Sequence, residues 1–125
     1  MEESILNTIK IFLGLSTDDD VFDEELIILI NAVIMALQQI GVGPQETLFH
    51  IEDDSSTWSD YITNPTEIPM VKTYIAIRVR LIFDPPQSST LEQALKQEVA
   101  EYEWRLNVKV DDYHIEEGSN DTGTD

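Results

Sequence analysis

The sequence predicts an all-α fold: a small bundle of about four main helices, a long middle loop and a flexible acidic C-terminal tail. Three observations carry that prediction. Apolar residues recur at helical spacing in four separate stretches. The break Pro85-Pro86-Gln87-Ser88 separates two of them, at residues 71–84 and 89–106. The last stretch, residues 111–125, holds six acids and no Lys or Arg, and ends in Gly, Ser and Thr, a composition that favours disorder. At 125 residues the chain is one domain by size. We divide it into a helical domain, 1–110, and the tail, 111–125.

The first helix is expected over residues 4–15, where Ile5, Leu6, Ile9, Phe12 and Leu13 share a face and Gly14 stands near the end. Ser16-Thr17-Asp18-Asp19-Asp20 offers N-cap residues for the next helix. Asp23, Glu24 and Glu25 fall in its first turn and complement its dipole. That second helix, residues 21–40, is apolar nearly all round: Leu26 to Ile30 run consecutively, followed by Val33, Ile34, Leu37 and Ile40. Such a helix needs partners on more than one side. It is either the central helix or turns one side to another subunit, with Leu29, Ile30, Val33 and Leu37 in the core. Gly41 and Gly43-Pro44 end it.

From residue 44 to 69 periodicity is weak. Residues 47–51 (TLFHI) fit a short strand or turn, Asp53-Asp54-Ser55-Ser56 a loop, and residues 58–62 one helical turn. A connection this long is often functional. The third helix starts near residues 66–69, with Pro69 tolerated in the first turn. Val71, Tyr74, Ile75, Arg78, Val79 and Ile82 trace its face, with Ile77 and Leu81 beside them. Pro85-Pro86 stops it. Ser89 with Glu92 reads as a capping box opening the fourth helix, on which Leu91, Leu95, Val99, Tyr102 and Leu106 recur at intervals of three and four. Residues 107–110 alternate and read as extended chain.

Charge and composition narrow the function. With 25 acids against 7 bases the net charge is −18, so the surface repels phosphate backbones and anionic lipid. No cysteine is present for disulfides or thiolate metal sites. The longest apolar run, residues 32–37, falls far short of the ~20 residues that span a bilayer. The acidic start Met1-Glu2-Glu3 is unlike a signal peptide and is read as that of an intracellular product.

Nothing in the sequence assembles a catalytic set. Asp18-Asp19-Asp20 with Asp23 lacks the alternation and central Gly of a calcium loop, so helix capping accounts for it better. His50 lies near Glu52, Asp53, Ser55 and Ser56, yet no nucleophile elbow accompanies it, and His114 stands in the tail. The five glycines are scattered and form no phosphate loop. No cofactor and no metal is expected. Trp58, Tyr61, Trp104 and Tyr113 are candidate interface anchors. Lys72, Arg78, Arg80, Lys96, Arg105 and Lys109 cluster in the C-terminal half, where they suit acids of a neighbouring subunit.

Residues 3–110 resemble the head–tail connector (neck adaptor) proteins of long-tailed double-stranded DNA phages. The resemblance rests on a short first helix, on Asp19-Asp20-Val21-Phe22-Asp23-Glu24-Glu25-Leu26 opening a long apolar helix, and on a loop with aromatics. It continues in the helix of residues 69–83, in Pro85-Pro86, and in a closing helix ending Glu101-Tyr102-Glu103-Trp104-Arg105-Leu106. It implies a structural virion protein without catalysis, at work in the virion neck after assembly in the host cytoplasm. Such proteins form a ring of roughly twelve subunits by a heterologous contact, between the portal protein and a stopper or tail-completion protein. DNA passes the channel without specific binding. The second helix and the basic third helix are expected to supply the ring contact, with Arg78, Arg80, Trp104 and Arg105 as interface candidates. Val108, Val110, Tyr113 and Ile115 are, by analogy, candidates for the portal contact. The rival reading is an acidic DNA mimic that inhibits a DNA-binding host protein; it would require carboxylates regularly spaced on one rigid surface.

Overall fold

The computed structural model describes the backbone of residues 3–122 and the side chains of residues 3–108. Among the described residues five helices follow one another: α1 (Ile5–Phe12), α2 (Asp23–Gln39), α3 (Trp58–Tyr61), α4 (Ile68–Phe83) and α5 (Ser89–Thr122). Among the described residues there is no strand, and one antiparallel bridge joins Ser4 to Thr57. The all-α bundle is as expected, with α3 as the single turn anticipated at residues 58–62.

Local chemistry explains the boundaries. Ser4 is extended, and its hydroxyl accepts a hydrogen bond from the Asn7 N–H at 3.2 Å, a side-chain N-cap for α1. The helix buries Ile5, Leu6 and Ile9 and stops at Gly14, whose φ of +80° suits a residue without Cβ. Two expected caps are placed otherwise. The N-cap of α2 is Phe22 and makes no side-chain bond to the helix. The acids before it shape the preceding turn instead: the Asp19 carboxylate accepts from the Val21 N–H at 3.0 Å. Asp20 meets the helix start through its backbone, its carbonyl accepting from the Asp23 N–H at 3.2 Å. At α5 the cap is Ser88 rather than Ser89, since the Ser88 hydroxyl accepts from the Leu91 N–H at 3.3 Å. Glu92 pairs with Lys96 at 3.3 Å. A capping box does occur at α3, where the Thr57 N–H donates to the Asp60 carboxylate at 2.8 Å.

The central helix is α4, not α2. It packs against all four other helices and buries Val71, Tyr74, Ile75, Ala76, Ile77 and Val79. Each fully buried aliphatic side chain is worth about 1.5–3 kcal/mol, so α4 anchors the fold. Ile82 departs from the expected stripe and is exposed. The last turn projects past the core, and Phe83 instead meets Phe22 edge-on at 5.2 Å.

That contact also orients the layers. Phe22 opens α2 and Phe83 closes α4, so the two helices run antiparallel. On the other side Tyr74 is bonded to Glu103 of α5. Nine residues separate Tyr74 from Phe83, which at about 100° per residue is half a rotation. Helices α2 and α5 therefore flank α4 on opposite sides. On α2, Ile30, Val33 and Leu37 are buried as expected, whereas Leu29 packs only partly against the core.

The middle connection is ordered by side-chain amides. Asn31 binds both backbone groups of Ile51: its Nδ2 donates to the carbonyl at 3.0 Å and its Oδ1 accepts from the N–H at 2.8 Å. Two turns further along α2, Gln38 donates to the carbonyls of Pro44 (2.6 Å) and Thr47 (2.9 Å). It also accepts from the Phe49 N–H at 3.0 Å. Residues 47–51 thus form neither strand nor helix; they are an extended segment satisfied by two amides that imitate a neighbouring strand. Phe49 then stacks on Tyr61 at 5.1 Å, and the Tyr61 hydroxyl donates to the Val42 carbonyl at 3.1 Å. Gly43 passes so close that a Cβ there would lie 2.3 Å from the Tyr61 ring, and its φ is +98°.

Helix α5 forms an antiparallel hairpin with α4 across the Pro85-Pro86 break. Only Leu106 is fully buried among its described side chains; Leu95, Val99 and Tyr102 are half-buried and Leu91 is exposed. The backbone stays helical through residues 107–110, where alternation predicted extended chain. Extending a nucleated helix adds one hydrogen bond per residue fixed, so a short alternating stretch does not end it. Of the tail expected at 111–125 to be flexible, the backbone of residues 111–122 continues α5 as helix, and its side chains lie outside the described residues.

Candidate functional site

The surface carries the features an assembly protein needs, and they divide between α2 and α5. On α2, Ile28 stands nine residues, half a rotation, from the buried Leu37, and Met35 stands the same distance from the buried Leu26. Both therefore point outward, 68% and 44% exposed, seven residues or two turns apart on α2. Glu24 and Glu25 precede this pair. On α5, Trp104 is 66% exposed; two residues, or about 200°, from Leu106 turn it away from α4.

The remaining candidates divide between the fold and the surface. Arg78 is half-buried, and its Nη1 donates to the Tyr74 hydroxyl at 2.9 Å; that hydroxyl donates in turn to Glu103 at 2.8 Å. The guanidinium lies 5.7 Å from the Tyr74 ring centre. Burial pushes the Tyr74 phenol above its usual range; the Arg78 hydrogen bond opposes this, and Glu103 adds to it. Arg78 thus helps tie α4 to α5. Arg105 is exposed, pairs with Glu101 and lies 5.9 Å over the Tyr102 ring. Arg80 is partly exposed and makes no ion pair among the described residues. Val108 is half-buried. Val110, Tyr113 and Ile115 lie outside the described side chains. Trp58 and Tyr61, considered as interface anchors, are core residues: Trp58 is 2% exposed and its Nε1 donates to Thr8 at 3.1 Å.

The acids gather where the turn before α2 meets residues 52–54. Asp20, Asp23, Glu24, Glu52, Asp53 and Asp54, with Val21 and Ile27, line a shallow depression. Among the described residues no group of three or more His, Cys, Asp or Glu is arranged to hold a metal ion. The Ser55 hydroxyl donates to Asp53 and, with the Ser55 N–H, holds that carboxyl below its usual range. His50 lies 3.5 Å from Glu52, both well exposed, so the nominal Ser-His-Asp ingredients form no relay.

Two functional features escaped sequence reasoning. Lys10 is 2% exposed and reaches Asp23 at 2.9 Å and the Thr17 carbonyl at 3.1 Å, joining α1 to the start of α2. Nothing in its neighbours marks it as buried. The pair Ile28 and Met35 was legible in principle, because seven-residue spacing is two helical turns.

The model of one protein family, described as phage connector protein, matches residues 5–113. The chain belongs to that family. It is accordingly a structural phage protein, and its associations are with other proteins of the capsid and tail. The match begins at the first residue of α1 and takes in α1 to α4 and α5 as far as residue 113, so it covers the whole described core. No curated protein and no solved structure matches it. Among the described residues no helix is long and apolar enough to cross a membrane.

Proposed function

We propose that the connector is the subunit of a ring of roughly twelve copies in the virion neck, assembled in the host cytoplasm, which joins the portal to the stopper or tail and extends the DNA channel. The observation that carries this reading is the family match over residues 5–113. A net charge of −18 supports it physically, since an acidic wall lets DNA slide past without counterion-releasing contacts. Its work is positional and needs no catalytic step. Residues 1–110 act as the ring-forming domain and residues 111–125 as an acidic tail, with Val108, Val110, Tyr113 and Ile115 directed to the portal.

Native mass spectrometry over a concentration series, alone and with the portal, tests the proposal. A closed species of about a dozen copies, free or on the portal, is the expected result. A monomer that ignores the portal at every concentration overturns it. Tight binding to a basic DNA-binding protein in that case would mark the chain as a DNA mimic.

A further inference from the structure

Resting on the ring reading, we propose which surfaces meet: Trp104 of one copy seats on the outward pair Ile28 and Met35 of α2 in a second copy. Both patches are exposed in the single chain. They lie on opposite sides of the layer α2–α4–α5, because Phe83 faces α2 and Tyr74 faces α5 half a rotation apart. A contact between opposite faces is heterologous; it leaves one patch open at each end and so repeats until the assembly closes.

Charge selects the occupant. Two α2 faces brought together would set Glu24 and Glu25 against their own copies, an unfavourable contact in a chain of net charge −18. Facing α5 against α2 instead brings Arg105, next to Trp104 and paired within its own copy with Glu101, toward those glutamates, which it can share. The chemistry of the seat also fits. Trp is the strongest type of interface anchor, and the Met35 thioether makes favourable contacts with an aromatic ring. Arg78, half-buried against Tyr74, stays within its own subunit.

The test uses two full-length variants, Ile28→Glu with Met35→Glu, and separately Trp104→Glu, examined by native mass spectrometry and sedimentation. All three positions are exposed, so melting curves should match the parent. Each variant alone should associate at least tenfold more weakly than the parent. An equimolar mixture should give a one-to-one pair and nothing larger, because each variant retains the patch the other lacks. As a second arm, the cysteine-free chain carrying Glu25→Cys and Arg105→Cys, which leaves Trp104, Ile28 and Met35 in place, should give a ladder beyond dimers when oxidised with diamide, whereas either cysteine alone stops at dimers. If the parent forms rings and both variants form them equally, the ring reading stands and this surface is wrong. If the parent stays monomeric and the double-cysteine chain gives no ladder, this contact is overturned, while the ring reading is decided by the portal experiment above.

Discussion

Helices α4 and α5 are joined by five residues and have opposite characters. Helix α4 buries six side chains and touches every other helix; α5 fully buries only Leu106 among its described side chains and is held further by the Tyr74–Glu103 hydrogen bond. At about 1.5–3 kcal/mol per buried aliphatic side chain, this difference exceeds any contribution from surface ion pairs such as Lys96–Glu92, typically under ~1 kcal/mol. Residues that hold the fold are thus concentrated on α4 and on the inward face of α2, which also buries six side chains, Val33 included. Those free to contact other molecules lie on the outer helices α2 and α5. An assembly protein benefits from that division, because its contact faces can change without loss of the core.

Substitutions can break this contrast. The largest effect is expected from Val33→Asp, which buries an unpaired carboxylate and should abolish cooperative unfolding in circular dichroism. Trp104→Asp on α5 should leave the melting temperature unchanged; an equal loss from both would refute the division. Next comes Gly43→Ala. Its positive φ and the Cβ approach to Tyr61 together should cost roughly 2–5 kcal/mol, read as a lowered denaturant midpoint.

Gln38→Ala leaves the backbone groups of Pro44, Thr47 and Phe49 without their amide partner and should cost about 2–4 kcal/mol. Hydrogen exchange should show the loss concentrated in residues 44–51 if the amide is what orders that segment; uniform loss would mean otherwise.

A smaller effect should appear with pH. Burial raises the Tyr61 phenol above its ordinary value, so above pH ~10 the unfolded chain releases a proton that the folded one retains. The stabilisation is fully present below that pH and is lost as pH rises beyond it. Tyr61→Phe should flatten the alkaline decline while losing about 1 kcal/mol at neutral pH with the bond to Val42. An unchanged alkaline slope would assign the decline to other groups. The smallest effect is expected from deletion of residues 118–125, which should leave the melting temperature where it was; a clear drop would mean that this stretch packs.

Much of the fold was legible from local pattern. The four main helices, the turn at Trp58 and the stop at Pro85-Pro86 follow from periodicity and backbone chemistry, which act over a few residues. The motif opening α2 and the closing helix likewise carried the family resemblance, which the family match bears out. Caps were placed less well, because Ser88 and Ser89 are equivalent candidates until the backbone direction chooses one.

What the tertiary structure alone decided is which apolar surface meets which. The sequence made α2 apolar nearly all round but did not determine that α4 would occupy the centre, leaving Ile28 and Met35 outside. Nor did it assign Asn31 and Gln38 to residues 44–51, or Lys10 to the interior beside Asp23, since those partners are brought together only when α1, α2 and the middle connection close on α4. Periodicity specifies that a helix has a buried face; only packing against distant segments determines its neighbours, because burial is a property of the closed assembly and not of the local chain.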